Sequence, residues 1–183
     1  RYFNVYVSIF LSFFLISKIK SPFVFISYLI SGFLFIELIS YYNDYIQFFS
    51  NNDYFDPVKV KGVSGNKNIT AASIAIKIPF VLYLMNISRS RIIIAISFFL
   101  LISCYYALSV IVARAAILSS LICLILYLLF ILYYFVIRER NLNSFFKKSS
   151  YIIIPYFIAF CINLFVTYTS KKTDLLVDTV AQI

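Results

Sequence analysis

Long blocks of Leu, Ile and Phe, broken by short polar clusters, organise this chain. A helix needs ~20 consecutive apolar residues to cross the hydrocarbon core of a bilayer. Six segments come near that length and fit helical spans, at residues 2–17, 23–42, 69–86, 92–112, 115–137 and 151–168. Residues 170–183 then read as the start of a loop outside the bilayer. The two-residue alternation that marks the strands of a membrane barrel is not seen. The expected fold is therefore all-α, a polytopic bundle of transmembrane helices. Within it, Arg114 is the only charged residue between Ile92 and Ile137. That run is about twice the length of one span, so Arg114 falls at a very short turn between two. A guanidinium at the membrane edge calls for a polar partner, and phosphate or carboxylate suits it best.

Composition agrees with the pattern. Hydrophobic residues make up 63 % of the 183 and charged residues 13 %, more apolar than any soluble domain of this length requires. The net charge of +9 comes mostly from residues that flank spans. There they anchor to lipid headgroups and set topology, so nucleic acid is not an expected partner and membrane lipids are. The connections after the first, third and fifth spans carry Lys18, Lys20, Arg89, Arg91, Arg138, Arg140, Lys147 and Lys148 in short stretches. This set is expected to face the cytoplasm. The connection 43–68, the Arg114 turn and the C-terminal tail then share the opposite face. The chain opens on Arg1 and enters a span at once, which reads as the middle of a longer protein.

Cys104, Cys123 and Cys161 are isolated within predicted spans, and histidine is absent. No metal site is expected, and the usual neutral-pH general base is missing from this stretch. The tyrosine cluster Tyr41, Tyr42 and Tyr45, with Phe48, Phe49, Tyr54 and Phe55, reads as an interfacial aromatic belt and a short helix on the membrane surface. A platform for stacking sugars is the sharper alternative.

The strongest local pattern runs from Gly62 through Ser64, Gly65, Asn66, Lys67 and Asn68 into a span. Two of the three glycines lie here and permit a tight turn. Asn68 is the expected N-cap, and the first helical turn offers free amides and the positive end of the helix dipole to an anion. Ala71, Ala72, Ser73 and Ala75 allow close packing. Lys77 lies about 13 Å further along at ~1.5 Å per residue. An intramembrane lysine marks a candidate site unless it snorkels or pairs, and Glu37 in the second span is its one acidic counterpart at depth. Pro79 frees a backbone carbonyl nearby.

These residues together resemble the bacterial O-antigen ligase and polymerase superfamily. In that family a stretch rich in glycine and asparagine opens a span that ends near a proline. A later turn between spans usually reads Ser-Arg-Gly-Ala or Ser-Arg-Ala-Ala. Here the turn is Ala113-Arg114-Ala115-Ala116, with alanine in place of the serine. The resemblance covers about Gly62 to Ile137. It implies a multi-pass glycosyltransferase of the bacterial cytoplasmic membrane, acting at the periplasmic face. Such an enzyme moves a glycan from an undecaprenyl diphosphate carrier to an acceptor, either the lipid A core or a growing polysaccharide. It implies that Arg114 binds the donor diphosphate, with Asn66, Lys67, Asn68 and Lys77 as further candidates, and that no cofactor takes part. The family's large outer loop, which often supplies a histidine, would begin near Ser170, so the catalytic base is not assigned and residues 1–183 alone are expected to be inactive. A transporter or flippase subunit with its polar site near Lys77 and Pro79 is the alternative.

Overall fold

The computed structural model describes residues 21–50 and 64–181, and among these every regular element is helical. The helices are α1 (Pro22–Ser50), α2 (Lys67–Ile87), α3 (Arg91–Ile111), α4 (Arg114–Leu132) and α5 (Leu142–Ala181), with a π-helical turn, Tyr133–Arg138, closing α4. Five helices of the described part are long and apolar enough to cross a membrane, over Pro22–Gln47, Lys67–Ile87, Arg91–Ile111, Arg114–Arg138 and Leu142–Val166. The chain is thus a multi-pass membrane protein built as a helical bundle. The expected first span, residues 2–17, lies outside the described residues.

Short connections force antiparallel neighbours. Ser88–Ser90 joins α2 to α3, Val112 and Ala113 join α3 to α4, and Glu139–Asn141 joins α4 to α5. Each helix therefore crosses back, and α2 and α4 run parallel. Asn66 and the Val112–Ala113 turn come to one end of the bundle, hereafter the Asn66 end. Ser88–Ser90 and Glu139–Asn141 come to the other, the Arg138 end. Lys148 of α5 ties that second end together by donating to the Asn86 carbonyl of α2 at 2.7 Å.

Helix α2 is the hub. Its buried residues Thr70, Ala71, Ile74, Ala75, Ile78, Val81, Leu82 and Met85 recur at helical spacing and face α1, α3 and α4. The small side chains Ala71 and Ala75 let the neighbouring helices approach closely, as membrane packing requires when water supplies no driving force between apolar helices. Leu101, Leu108 and Ile111 of α3 complete this core. Tyr127 of α4 donates to the Leu82 carbonyl at 3.0 Å, so α4 is bonded to the hub at depth. Much of the outer surface of α1, α4 and α5 stays apolar and exposed, as lipid-facing surface is.

Three boundaries differ from the sequence reading. Tyr41, Tyr42, Tyr45, Phe48 and Phe49 do not sit on a separate surface helix, because α1 continues unbroken to Ser50, while Tyr54 and Phe55 lie outside the described residues. Tyr41 is fully buried, Tyr42 stacks on Tyr106 at 6.4 Å and donates to the Ser103 carbonyl at 2.9 Å, and the Tyr45 and Tyr106 hydroxyls lie 3.4 Å apart. These rings bind α1 to α3 and leave no open stacking platform among Tyr41, Tyr42 and Tyr45. The last expected span begins earlier, since Asn141 caps α5 through Ser144 N at 3.0 Å and draws the basic segment around Lys147 into helix. That helix also runs on through residues 170–181, where a loop was expected to begin.

Candidate functional site

The sequence-predicted site residues divide into two groups at different depths. At the Asn66 end, the turn before α2 is built by side chains. Gly65 adopts φ +67°, which a glycine takes without steric cost. Asn66, not Asn68, is the N-cap: it is extended at φ −136° and ψ 118°, and its side-chain oxygen accepts from Asn68 N at 2.9 Å. The left-handed Gly65 ends the turn one residue before Asn66, which moves the cap two positions from the sequence expectation. Ser64 reinforces the turn, its hydroxyl lying 2.8 Å from the Asn66 carbonyl and 2.7 Å from the Thr70 hydroxyl. Asn68 becomes a first-turn residue and, like Asn66, is exposed, while Lys67 opens the helix.

Arg114 opens α4 at the same end. It follows a turn in which Val112 takes the left-handed conformation, φ 55° and ψ 32°, a strained choice for a β-branched residue. Ala113 is the N-cap and has no side chain to bond the first-turn amides. Arg114 is exposed and, among the described residues, makes no hydrogen bond or ion pair. Its depth follows from the bond between Tyr127 and Leu82. Counting back along two parallel helices at ~1.5 Å per residue puts Arg114 within roughly two turns of the level of Lys67.

The electrostatics of these two starts are alike. Neither α2 nor α4 has an acidic residue in its first turn, and each instead begins with a cation. A lysine or arginine there adds to the positive end of the helix dipole where a carboxylate would usually offset it. Both helix starts thus favour an incoming anion, and they lie at one end of the bundle.

The second group lies at mid-depth. Lys77 is the middle residue of α2, and its amine pairs with Glu37 of α1 and donates to Ser73, one turn earlier, at 2.6 Å. The Ser73 hydroxyl in turn donates to the same Glu37 oxygen at 3.2 Å. The side chains of Lys77 and Glu37 are 22 % and 11 % exposed. A closed triad of this kind lets two charges persist in the hydrocarbon region, since each is neutralised and hydrogen-bonded by the other. Ser73 is the member that the sequence reading assigned only to close packing. Its spacing of four from Lys77 was the available signal.

Lys77 is therefore engaged with Glu37, away from the two cations at the membrane edge. Pro79 lies inside α2 without ending it. A shallow groove on the outer face of α4, lined by Ser119, Ile122, Cys123, Leu126, Tyr127 and Phe130, does not include Arg114. Among the described residues no group of histidine, cysteine and carboxylate side chains could hold a metal ion. Compared with known protein families, curated proteins and solved structures, the chain matches none of them.

Proposed function

We propose that this protein transfers a glycan from a polyprenyl diphosphate carrier to an acceptor hydroxyl, at the membrane surface where α2 and α4 begin. The single observation behind this reading is the convergence of Arg114 and the Asn66–Asn68 turn on one end of the bundle, where both helix starts are positive and Arg114 is unpaired among the described residues. In the reaction the acceptor oxygen attacks the anomeric carbon of the donor sugar. The bond from that carbon to the diphosphate oxygen breaks, and the diphosphate leaves with the electron pair. A fixed guanidinium lowers the energy of that departing charge more than it lowers the energy of the bound donor. The planar fork of Arg114 suits two phosphate oxygens, and the amides and Lys67 at the start of α2 suit the remainder. The acceptor proton passes to a base that the described residues do not identify. By resemblance to the O-antigen ligases and polymerases, the carrier is undecaprenyl diphosphate, the acceptor is lipid A core or a growing polysaccharide, and the site faces the periplasm.

A specific observation favours a second reading. The Glu37–Ser73–Lys77 triad sits at mid-depth, where transporters place their polar sites. Its polar groups are satisfied by one another, however, which leaves less for a passing substrate. The test uses the full-length protein in a strain lacking its own copy, with Arg114 changed to alanine or lysine and membrane expression checked. The transfer reading expects surface polysaccharide to fall by about 100-fold in Arg114→Ala, with lipid-linked donor accumulating. Arg114→Lys falls nearly as far, because a point charge cannot replace the fork. Normal polysaccharide at normal expression would reject the reading and bring the transporter forward.

A further inference from the structure

We infer that the Arg138 end of the bundle is a binding surface for anionic phospholipid headgroups, formed jointly by the α2–α3 and α4–α5 connections. This goes beyond glycan transfer and concerns the opposite end of the molecule. The sequence places Arg89 and Arg91 in one connection, and Arg138, Arg140, Lys147 and Lys148 around the other, some fifty residues apart. The fold brings the two connections to one end of the bundle, where the Lys148 amine bonds the Asn86 carbonyl at 2.7 Å. Among the described residues at this end, Glu139 is the carboxylate set against these six cations.

The backbone there is built in an uncommon way. The last turn of α4 widens into a π-helix over Tyr133–Arg138, a form found mostly as single turns at functional positions. The Glu139 amide bonds back to the Tyr134 carbonyl at 3.1 Å and the Asn141 amide to the Phe135 carbonyl at 2.7 Å. Arg140 takes a left-handed φ of 52°. The Arg138 guanidinium lies 5.7 Å from the centre of the Tyr134 ring, which steers it along the helix surface while leaving it exposed. The wider turn and the left-handed residue thus set the backbone that carries Arg138 and Arg140, and Glu139 offsets only part of the positive charge gathered here.

What identifies the remaining counter-charge is the apolar rim. Ile92, Ile137, Leu142 and Phe146 stand exposed beside the cations, at 72, 62, 56 and 64 %. These four side chains belong to the ends of the spans, so the cations stand at the edge of the bilayer, where the anion at hand is carried by a lipid. A phospholipid meets both, with phosphate on the guanidinium and ammonium groups and acyl chain on the rim. The surface therefore takes an anionic lipid such as phosphatidylglycerol, in whichever leaflet the Arg138 end faces.

The experiment takes the purified protein in non-ionic detergent and follows its thermal unfolding with added phosphatidylglycerol, phosphatidylcholine or inorganic phosphate. Phosphatidylglycerol is expected to raise the midpoint by about 5 °C more than phosphatidylcholine, inorganic phosphate by about none, and about 0.5 M salt to erase the difference. The variant R89Q/R91Q/R138Q/R140Q should lose the phosphatidylglycerol increment and keep the response of the unaltered protein to phosphatidylcholine. If the fourfold variant does not fold, the salt and lipid comparisons on the unaltered protein decide the question. Equal stabilisation by both lipids, persistence in high salt, an equal effect of inorganic phosphate, or an undiminished increment in the folded fourfold variant would each overturn the inference. None of these results depends on whether Arg114 supports glycan transfer.

Discussion

Lys77 and Arg114 are both cations within a strongly apolar sequence, yet the fold treats them in opposite ways. Lys77, at the middle of α2, is neutralised by Glu37 and bonded to Ser73 inside the bundle. Arg114, at the first position of α4, is exposed and has no partner among the described residues. The difference separates structural charge from available charge. At mid-depth an unpaired ammonium is too costly to keep, so the helix that carries it is tied to the one that neutralises it. At the edge water and headgroups lower that cost, and a guanidinium can remain free for a ligand.

This comparison can be broken most severely at the triad. Lys77→Met should destabilise the protein by about 3–5 kcal/mol, because Glu37 is left buried and unpaired. Adding Glu37→Leu to the same chain should recover most of that loss. Reversible unfolding in mixed micelles would measure both, and a double variant as unstable as the single one would mean that the triad does more than neutralise charge. A smaller effect of opposite sign is expected at the turn before Arg114. Val112→Gly should stabilise by about 1 kcal/mol by relieving the left-handed strain, and a loss of that size instead would show that the valine side chain supports the turn. The smallest effect belongs to Arg114 itself. Arg114→Ala should change stability by less than about 0.5 kcal/mol, as a surface substitution with no bond to lose does. A loss of several kcal/mol would place Arg114 with Lys77 among the structural charges and would also cloud the polysaccharide test.

The spans were legible because their signal is one of length and composition. Bilayer thickness sets how many apolar residues a helix must have, and no tertiary contact is needed to count them. Predicted boundaries at 69–86 and 92–112 fall within two residues of α2 and α3. The boundaries that moved are those where a local capping bond or helix continuation decides. The left-handed Gly65 made Asn66 the cap, and Asn141 pulled the start of α5 back to Leu142. Tyr41, Tyr42 and Tyr45 read as a surface belt because their composition is the same whether the rings face headgroups or pack on Tyr106.

The candidate site shows the same division. Asn66, Lys67, Asn68, Lys77 and Arg114 could be named from the chain alone, because polar residues stand out against an apolar background. Chain length and apolar spacing also determined the helical class and the alternation of helix direction, which already assigns Asn66 and Arg114 to one end of the bundle. Which groups engage which was decided only by the tertiary structure. Lys77 meets Glu37 across forty positions of sequence, and Lys148 meets Asn86 across sixty-two, through the packing of α1, α2 and α5. A partner at such distance leaves no periodic trace in the sequence, since it depends on how helices rotate to bury Ala71, Ala75 and their neighbours, a choice made by side-chain fit and not by hydropathy.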